Sequence, residues 1–145
     1  IDIFDLYHPS ITYGIGRVGD LIEPMQFNDF VNKVQDVLEP KAMKIAGQPD
    51  SLVKRIALVG GSGSGYFPLA LNAGAQVFLS GEIKHHHVLE AQYYGLQLVD
   101  AGHYATERPI VPALIKILMD KCDELQYDVE LFESGVDTDV FEILR

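Results

Sequence analysis

The sequence is short of several features, and each shortage narrows what the chain can do. Its 145 residues include a single cysteine, so no internal disulfide can form, and we expect a reducing compartment such as the cytoplasm. Only 11 basic residues stand against 21 acidic ones, giving a formal net charge of −10, whereas nucleic-acid affinity depends on basic groups that neutralise phosphates. No apolar run approaches the ~20 residues of a membrane span. We therefore expect neither a nucleic-acid partner nor a membrane.

The apolar residues present are arranged in alternating strand and helix patterns. Hydrophobic residues make up 48% of the chain, enough for one domain with a buried core. Short apolar runs at 56–59, 76–79 and 96–99 predict buried strands, and the stretches 66–73 and 85–94 predict helices between them. Such alternation is typical of parallel strands joined by helices. The predicted fold class is α/β, with a mostly parallel mixed sheet flanked by helices.

Other patterns predict the elements around this regular part. Apolar residues at helical spacing from Phe27 to Leu38 predict an amphipathic helix that Pro40 ends. A long helix is expected to begin no earlier than Pro109. Further strands are predicted at 1–7, 13–21, 42–46 and 127–132.

Three successive strands end in glycine followed by polar residues. The ends are Gly60-Gly61-Ser62, Gly81-Glu82 and Gly102-His103. Since the carboxyl ends of parallel strands lie along one edge of a sheet, we expect their polar side chains to share a pocket.

The third of these ends carries His103 and Glu107, four positions apart. An imidazole nitrogen and a carboxylate oxygen are ordinary ligands of divalent metals. In a helix this spacing would place both on one face, although the nearby prolines also allow a tight turn. Capping of a helix by the same two residues is the alternative interpretation.

Two further motifs leave their alternatives open. The loop from Gly60 to Gly65 could cradle an anion or form a tight turn without a ligand, since it matches neither the dinucleotide-binding fingerprint nor a P-loop. His85, His86 and His87 diverge around their predicted helix, so they cannot jointly hold one metal; His86 lies four positions after Glu82. His8 precedes a proline and is interpreted as a turn residue.

Four motifs in a fixed order give the chain a resemblance to a known family. They are Tyr13-Gly-Ile-Gly-Arg-Val-Gly-Asp-Leu21, Ile56-Ala-Leu-Val-Gly-Gly-Ser-Gly-Ser64, Val77-Phe-Leu-Ser-Gly-Glu-Ile-Lys-His-His86 and Asp100-Ala-Gly-His-Tyr-Ala-Thr-Glu107. Together they resemble the later portion of the NIF-three-like family, whose bacterial members are called GTP cyclohydrolase 1 type 2 homologues. The match covers most of residues 12–107, and is looser beyond.

The resemblance implies a site for two divalent metal ions (zinc, iron or manganese) between two related α/β halves. It assigns His103 and Glu107 as metal ligands, and it places Glu82 and His86 near the metals as candidate catalytic residues for proton transfer. The family's other ligands, a His-His-Pro pair and an aspartate, are absent from this chain. Residues 1–145 are thus expected to be the C-terminal α/β domain of a longer protein. Ring-like homo-oligomers, such as a hexamer, are also implied.

The resulting hypothesis is half of a dinuclear metalloprotein, a metal-dependent hydrolase of the GTP cyclohydrolase type acting on a nucleotide-like or phosphorylated substrate. With only two ligands, the 145-residue chain alone is not expected to turn over substrate. Two alternatives keep the fold but not the chemistry: a nucleotide-sensing module that uses the glycine loop, and an oligomeric scaffold or regulatory module.

Overall fold

A computed structural model of the chain describes residues 4–5 and 14–144. In chain order its strands and helices are β1 (Phe4–Asp5), β2 (Arg17–Gln26), α1 (Phe27–Leu38), β3 (Lys44–Ala46), β4 (Leu52–Val59), α2 (Phe67–Asn72), β5 (Val77–Ser80), α3 (His85–Tyr93), β6 (Gln97–Asp100), α4 (His103–Glu107) and α5 (Ile110–Glu124). A single 3-10 turn, Ser64–Tyr66, leads into α2. Among the described residues, no helix is both long and apolar enough to cross a bilayer.

One sheet of six strands organises the described residues, in the order β1-β2-β4-β5-β6-β3. Its centre, β4, β5 and β6, is parallel. β1 and β2 extend one side and β3 closes the other, all through antiparallel pairings. The predicted mixed α/β sheet flanked by helices is confirmed, and its parallel part is the three strands whose ends carry the polar motifs.

The register of these strands aligns their carboxyl ends. Val59 lies opposite Ser80, and Ser80 lies opposite Asp100. The residues that follow, beginning with Gly60, Gly81 and Ala101, therefore leave the sheet in one row. This row places the three loops side by side, as the strand-end pattern predicted.

Both faces of the sheet are covered, which explains why the runs 56–59, 77–79 and 98–99 of the central strands are apolar on both faces. Val77 and Leu79 pack with buried residues of α1 on one face. Phe78 points to the other face, where it packs with Phe67 of α2 and Ala91 of α3. All three strand side chains are at most 9% exposed, so the sheet is a rigid base for the loops at its edge.

The predicted strand at 127–132 is wrong, since residues 127–144 contain no strand. The edge of β6 that a further strand could extend is already occupied by β3. The tail instead reaches Lys41, whose ammonium group lies 3.1 Å from the Asp139 carboxylate and donates to the carbonyl of Phe141. Of the strand predicted at 1–7, the structure describes only Phe4–Asp5, and His8 lies outside the described residues.

Candidate functional site

His103 lies between two carboxylates at the edge where the parallel strands end. Its Nδ1 donates to Oε1 of Glu82 at 2.9 Å, and its Nε2 lies 3.1 Å from Oε1 of Glu107. The three side chains are about half exposed, at 46%, 53% and 55% respectively for His103, Glu82 and Glu107. The cluster therefore lies at the surface of the sheet edge and is open to a ligand from solvent.

The short helix α4 brings His103 and Glu107 together. His103 is its first residue and Glu107 its last, so their four-residue spacing places both side chains on one face. The segment is thus a helix and not the tight turn that the prolines also allowed. α5 begins at Ile110 directly after Pro109, as the sequence predicted.

Two glycines let the neighbouring loops approach α4 closely. A Cβ atom on Gly61 would collide with Oε1 of Glu107 and lie 3.2 Å from Nε2 of His103, and its φ of +62° also favours glycine. A Cβ on Gly81 would lie 2.8 Å from Cα of His103. Gly61 therefore lets the Glu107 carboxylate and the His103 ring lie close against the glycine loop, which a side chain at this position would prevent.

The glycine loop is closed by hydrogen bonds within the protein. The N–H of Gly61 donates to Oγ1 of Thr106 at 2.9 Å, and the N–H of Gly63 donates to Oγ of the fully buried Ser80 at 3.1 Å. These are the groups that a bound phosphate would require. With two carboxylates beside them as well, the arrangement favours the tight-turn interpretation over the anion site.

Asp100 anchors the loops that carry Glu82 and His103. Its Oδ1 accepts the N–H of Gly102 at 3.1 Å, and its Oδ2 accepts the N–H of Ile83 at 3.2 Å. Lys44 of β3 adds an ion pair to Oδ2 at 3.2 Å. The Asp100 side chain is only 7% exposed. These contacts therefore compensate for the hydration that the carboxylate loses on burial.

Of the three consecutive histidines, His87 contacts the glycine loop, whereas the spacing from Glu82 had singled out His86. His86 is exposed on α3, and Glu82 precedes that helix, so the two are not one helical turn apart. His87 instead turns towards the glycine loop, where its Nδ1 lies 3.0 Å from Oγ of Ser64. His87 contacts a buried residue across the sheet edge, which spacing within one helix could not reveal.

The donor atoms fit part of a metal site. His103 Nε2 and Glu107 Oε1 lie 3.1 Å apart on half-exposed side chains and could both hold one ion, while Glu82 contacts the opposite ring nitrogen. Over residues 4–5 and 14–144, no group of three or more His, Cys, Asp or Glu side chains is placed to hold an ion. The described residues thus offer a pair of ligands and not a complete coordination shell.

The fold and this site together define the class of protein. It is an α/β protein whose polar side chains meet at the carboxyl edge of parallel strands, where such folds bind their ligands. The profile of the DUF34/NIF3 family (NGG1p interacting factor 3) matches residues 2–140. The chain therefore belongs to this family, which confirms the resemblance inferred from the motifs.

Individual relatives agree with this assignment. The chain is 34% identical over 143 residues to the GTP cyclohydrolase 1 type 2 homolog of Bacillus subtilis, covering 99% of this chain and 38% of that protein. The crystal structure of Staphylococcus aureus protein SA1388 superposes with a TM-score of 0.87 at 32% identity, covering 92% of this chain and 38% of that one. A Bacillus cereus protein related to NIF3 gives 0.85 at 31% identity, covering 90% and 36%. The chain thus spans well under half the length of these relatives.

The anchoring role of Asp100 predicts a cost for its conservative replacement. Asp100→Asn leaves one acceptor oxygen where N–H groups from two loops and Lys44 converge, so its amide –NH₂ group must face another donor. We expect the free energy of unfolding to fall by about 1–3 kcal/mol in urea denaturation, and amide exchange of Ile83 and Gly102 to accelerate.

Asp20→Asn is the matched control, because Asp20 pairs with Arg55 at the surface. Equal destabilisation in both variants would contradict the anchoring role.

The partial burial of His87 predicts a pH dependence of stability. Burial, with a smaller contribution from the charge of His86, lowers the pKa of His87 below its ordinary value of 6.5. The unfolded chain therefore binds the proton more readily, and this group's contribution to stability is lost as pH falls through 6.5 towards its folded pKa. We expect the free energy of unfolding to decrease less on acidification in His87→Gln than in the wild type. Denaturant titrations at several pH values measure this difference. His85→Gln removes an exposed imidazole from the same helix, and an identical difference there would contradict the assignment.

Proposed function

We propose that this chain supplies two protein ligands, His103 and Glu107, to a divalent metal centre. The observation that carries the proposal is the 3.1 Å separation of His103 Nε2 and Glu107 Oε1, on two side chains that are about half exposed to solvent. Two donors that bind one ion at roughly 2.0–2.2 Å each lie about this far apart. The acidic balance of the chain and the carboxylates at the site favour a cation over an anion.

The intact protein would then be a metal-dependent hydrolase with a nucleotide-like or phosphorylated substrate. A bound divalent metal would supply an activated water and polarise the bond to be cleaved. His103 and Glu107 hold the metal, Gly61 lets the Glu107 carboxylate lie close to the glycine loop, and Thr106 ties the loop of Gly61 to α4. The name GTP cyclohydrolase 1 type 2 homolog, carried by the relatives, supports this reaction class. The remaining ligands would come from outside the described residues, so turnover by the 145-residue chain alone is not expected.

A scaffold function is the second candidate, because α5 presents apolar side chains to solvent. Ile110, Ile117 and Met119 are each more than half exposed, and no residue of α5 is buried. A homo-oligomer would cover such a surface, in agreement with the expectation of a ring-like assembly. The nucleotide-sensing alternative is weaker, because the N–H groups of Gly61 and Gly63 already have acceptors.

Metal titration tests the ligand assignment on the chain itself. Mn²⁺ broadens the NMR signals of nuclei close to it, so weak binding is detected residue by residue. We expect broadening centred on Gly61, His103 and Glu107. His103→Ala and Glu107→Ala should each weaken binding at least about tenfold, since even outer partners of ligands contribute that much.

His85→Ala is the matched control for this experiment. It removes the exposed imidazole at the start of α3, in a run of three histidines that could bind metal adventitiously. Broadening that follows residues 85–87 and survives His103→Ala would refute the proposal.

A further inference from the structure

Glu82 contacts the ring nitrogen of His103 that faces away from Glu107. Its Oε1 accepts a hydrogen bond from Nδ1 at 2.9 Å, while Nε2 faces Glu107. A carboxylate is acceptor-only when ionised, so a hydrogen in either contact belongs to the imidazole, and a neutral ring can donate to only one of the two carboxylates. The contact with Glu82 is the shorter and has hydrogen-bond geometry, which favours the hydrogen on Nδ1 and the lone pair on Nε2, the atom next to Glu107.

The backbone on both sides of Glu82 is fixed. The N–H of Gly81 donates to the carbonyl of Gly61 at 2.9 Å, and the N–H of Ile83 donates to Asp100 at 3.2 Å. Glu82 is thus held between two anchored residues, although its side chain is half exposed. A contact made by a long, exposed side chain usually contributes little free energy, because ordering the side chain costs conformational entropy. The anchored backbone on both sides of Glu82 reduces this entropy cost.

We propose that Glu82 is a positioning residue for His103, which it holds in the tautomer with hydrogen on Nδ1 and the lone pair of Nε2 beside Glu107. Its Oε1 accepts from the far side of the ring and therefore does not join the donor pair. This assigns Glu82 a role distinct from ligation and from proton transfer to a substrate. Only the metal-binding part of the inference rests on the proposed function.

The tautomer of His103 in the metal-free chain tests the positioning directly. The imidazole ¹⁵N signals, recorded at a pH where the ring is neutral, report which nitrogen carries the hydrogen. We expect Nδ1–H in the wild type and a shift towards Nε2–H in Glu82→Ala. Glu82→Gln should retain more of the Nδ1–H form than Glu82→Ala, because its carbonyl oxygen can accept the same bond.

The control variant is Glu90→Ala, which removes one negative charge from the exposed face of α3. It should leave the His103 signals as in the wild type. An unchanged tautomer in Glu82→Ala would overturn the proposal, and so would equal shifts in Glu82→Ala and Glu90→Ala. Because Glu82 is half exposed, the variants should remain folded, which circular dichroism checks.

Metal affinity provides the second arm. In the Mn²⁺ titration, Glu82→Ala should weaken binding about 10–100-fold, the range found when a partner of a metal-bound histidine is removed. Glu90→Ala should bind as the wild type does. If His103→Ala weakens binding but Glu82→Ala and Glu90→Ala bind equally, the positioning role is overturned. If His103→Ala has no effect on binding, the proposed metal function fails, and the ¹⁵N tautomer then decides whether Glu82 orients His103.

Discussion

The arrangement of the site depends on one buried carboxylate. Asp100 ends the central strand β6, and its two oxygens accept N–H groups from the loop after β5 and the loop after β6. These are the loops that carry Glu82 and His103. Because a buried carboxylate without partners is costly, the same bonds that stabilise Asp100 fix the distance between the loops. Lys44, which lies on β3, neutralises the negative charge of Asp100. The antiparallel edge strand therefore also contributes to the site.

The three loops at the sheet edge lie close together, and this brings the side chains of Glu82, His103 and Glu107 into contact. Gly61 and Gly81 remove the side chains that would separate the loops, and Thr106 bridges α4 to the loop of Gly61. The imidazole of His103 is then contacted by a carboxylate at each nitrogen. One contact comes from its own helix and the other from a different loop. In the proposed metal centre, the contact with Glu107 forms the donor pair and the contact with Glu82 orients the ring.

Local patterns in the sequence predicted the helices, the central strands and the pairing of His103 with Glu107, because these depend on spacing within a few residues. The convergence of strand ends was also predictable, since parallel register aligns them. The contact between Glu82 and His103 was not, because it joins residues 21 positions apart through the register of two strands. His87 was missed for the same reason. The strand predicted at 127–132 failed because β-propensity cannot reveal that β3 already occupies the edge of β6.

A crystal structure of the chain grown with Mn²⁺ or Zn²⁺, with the ion located by anomalous scattering, tests the central claim most directly. The account predicts one ion bound by Nε2 of His103 and a carboxylate oxygen of Glu107, at about 2.0–2.2 Å for zinc, with Glu82 still accepting from Nδ1. An ion held by the histidines of α3, or bound to His103 through Nδ1 with Glu82 displaced, would contradict it.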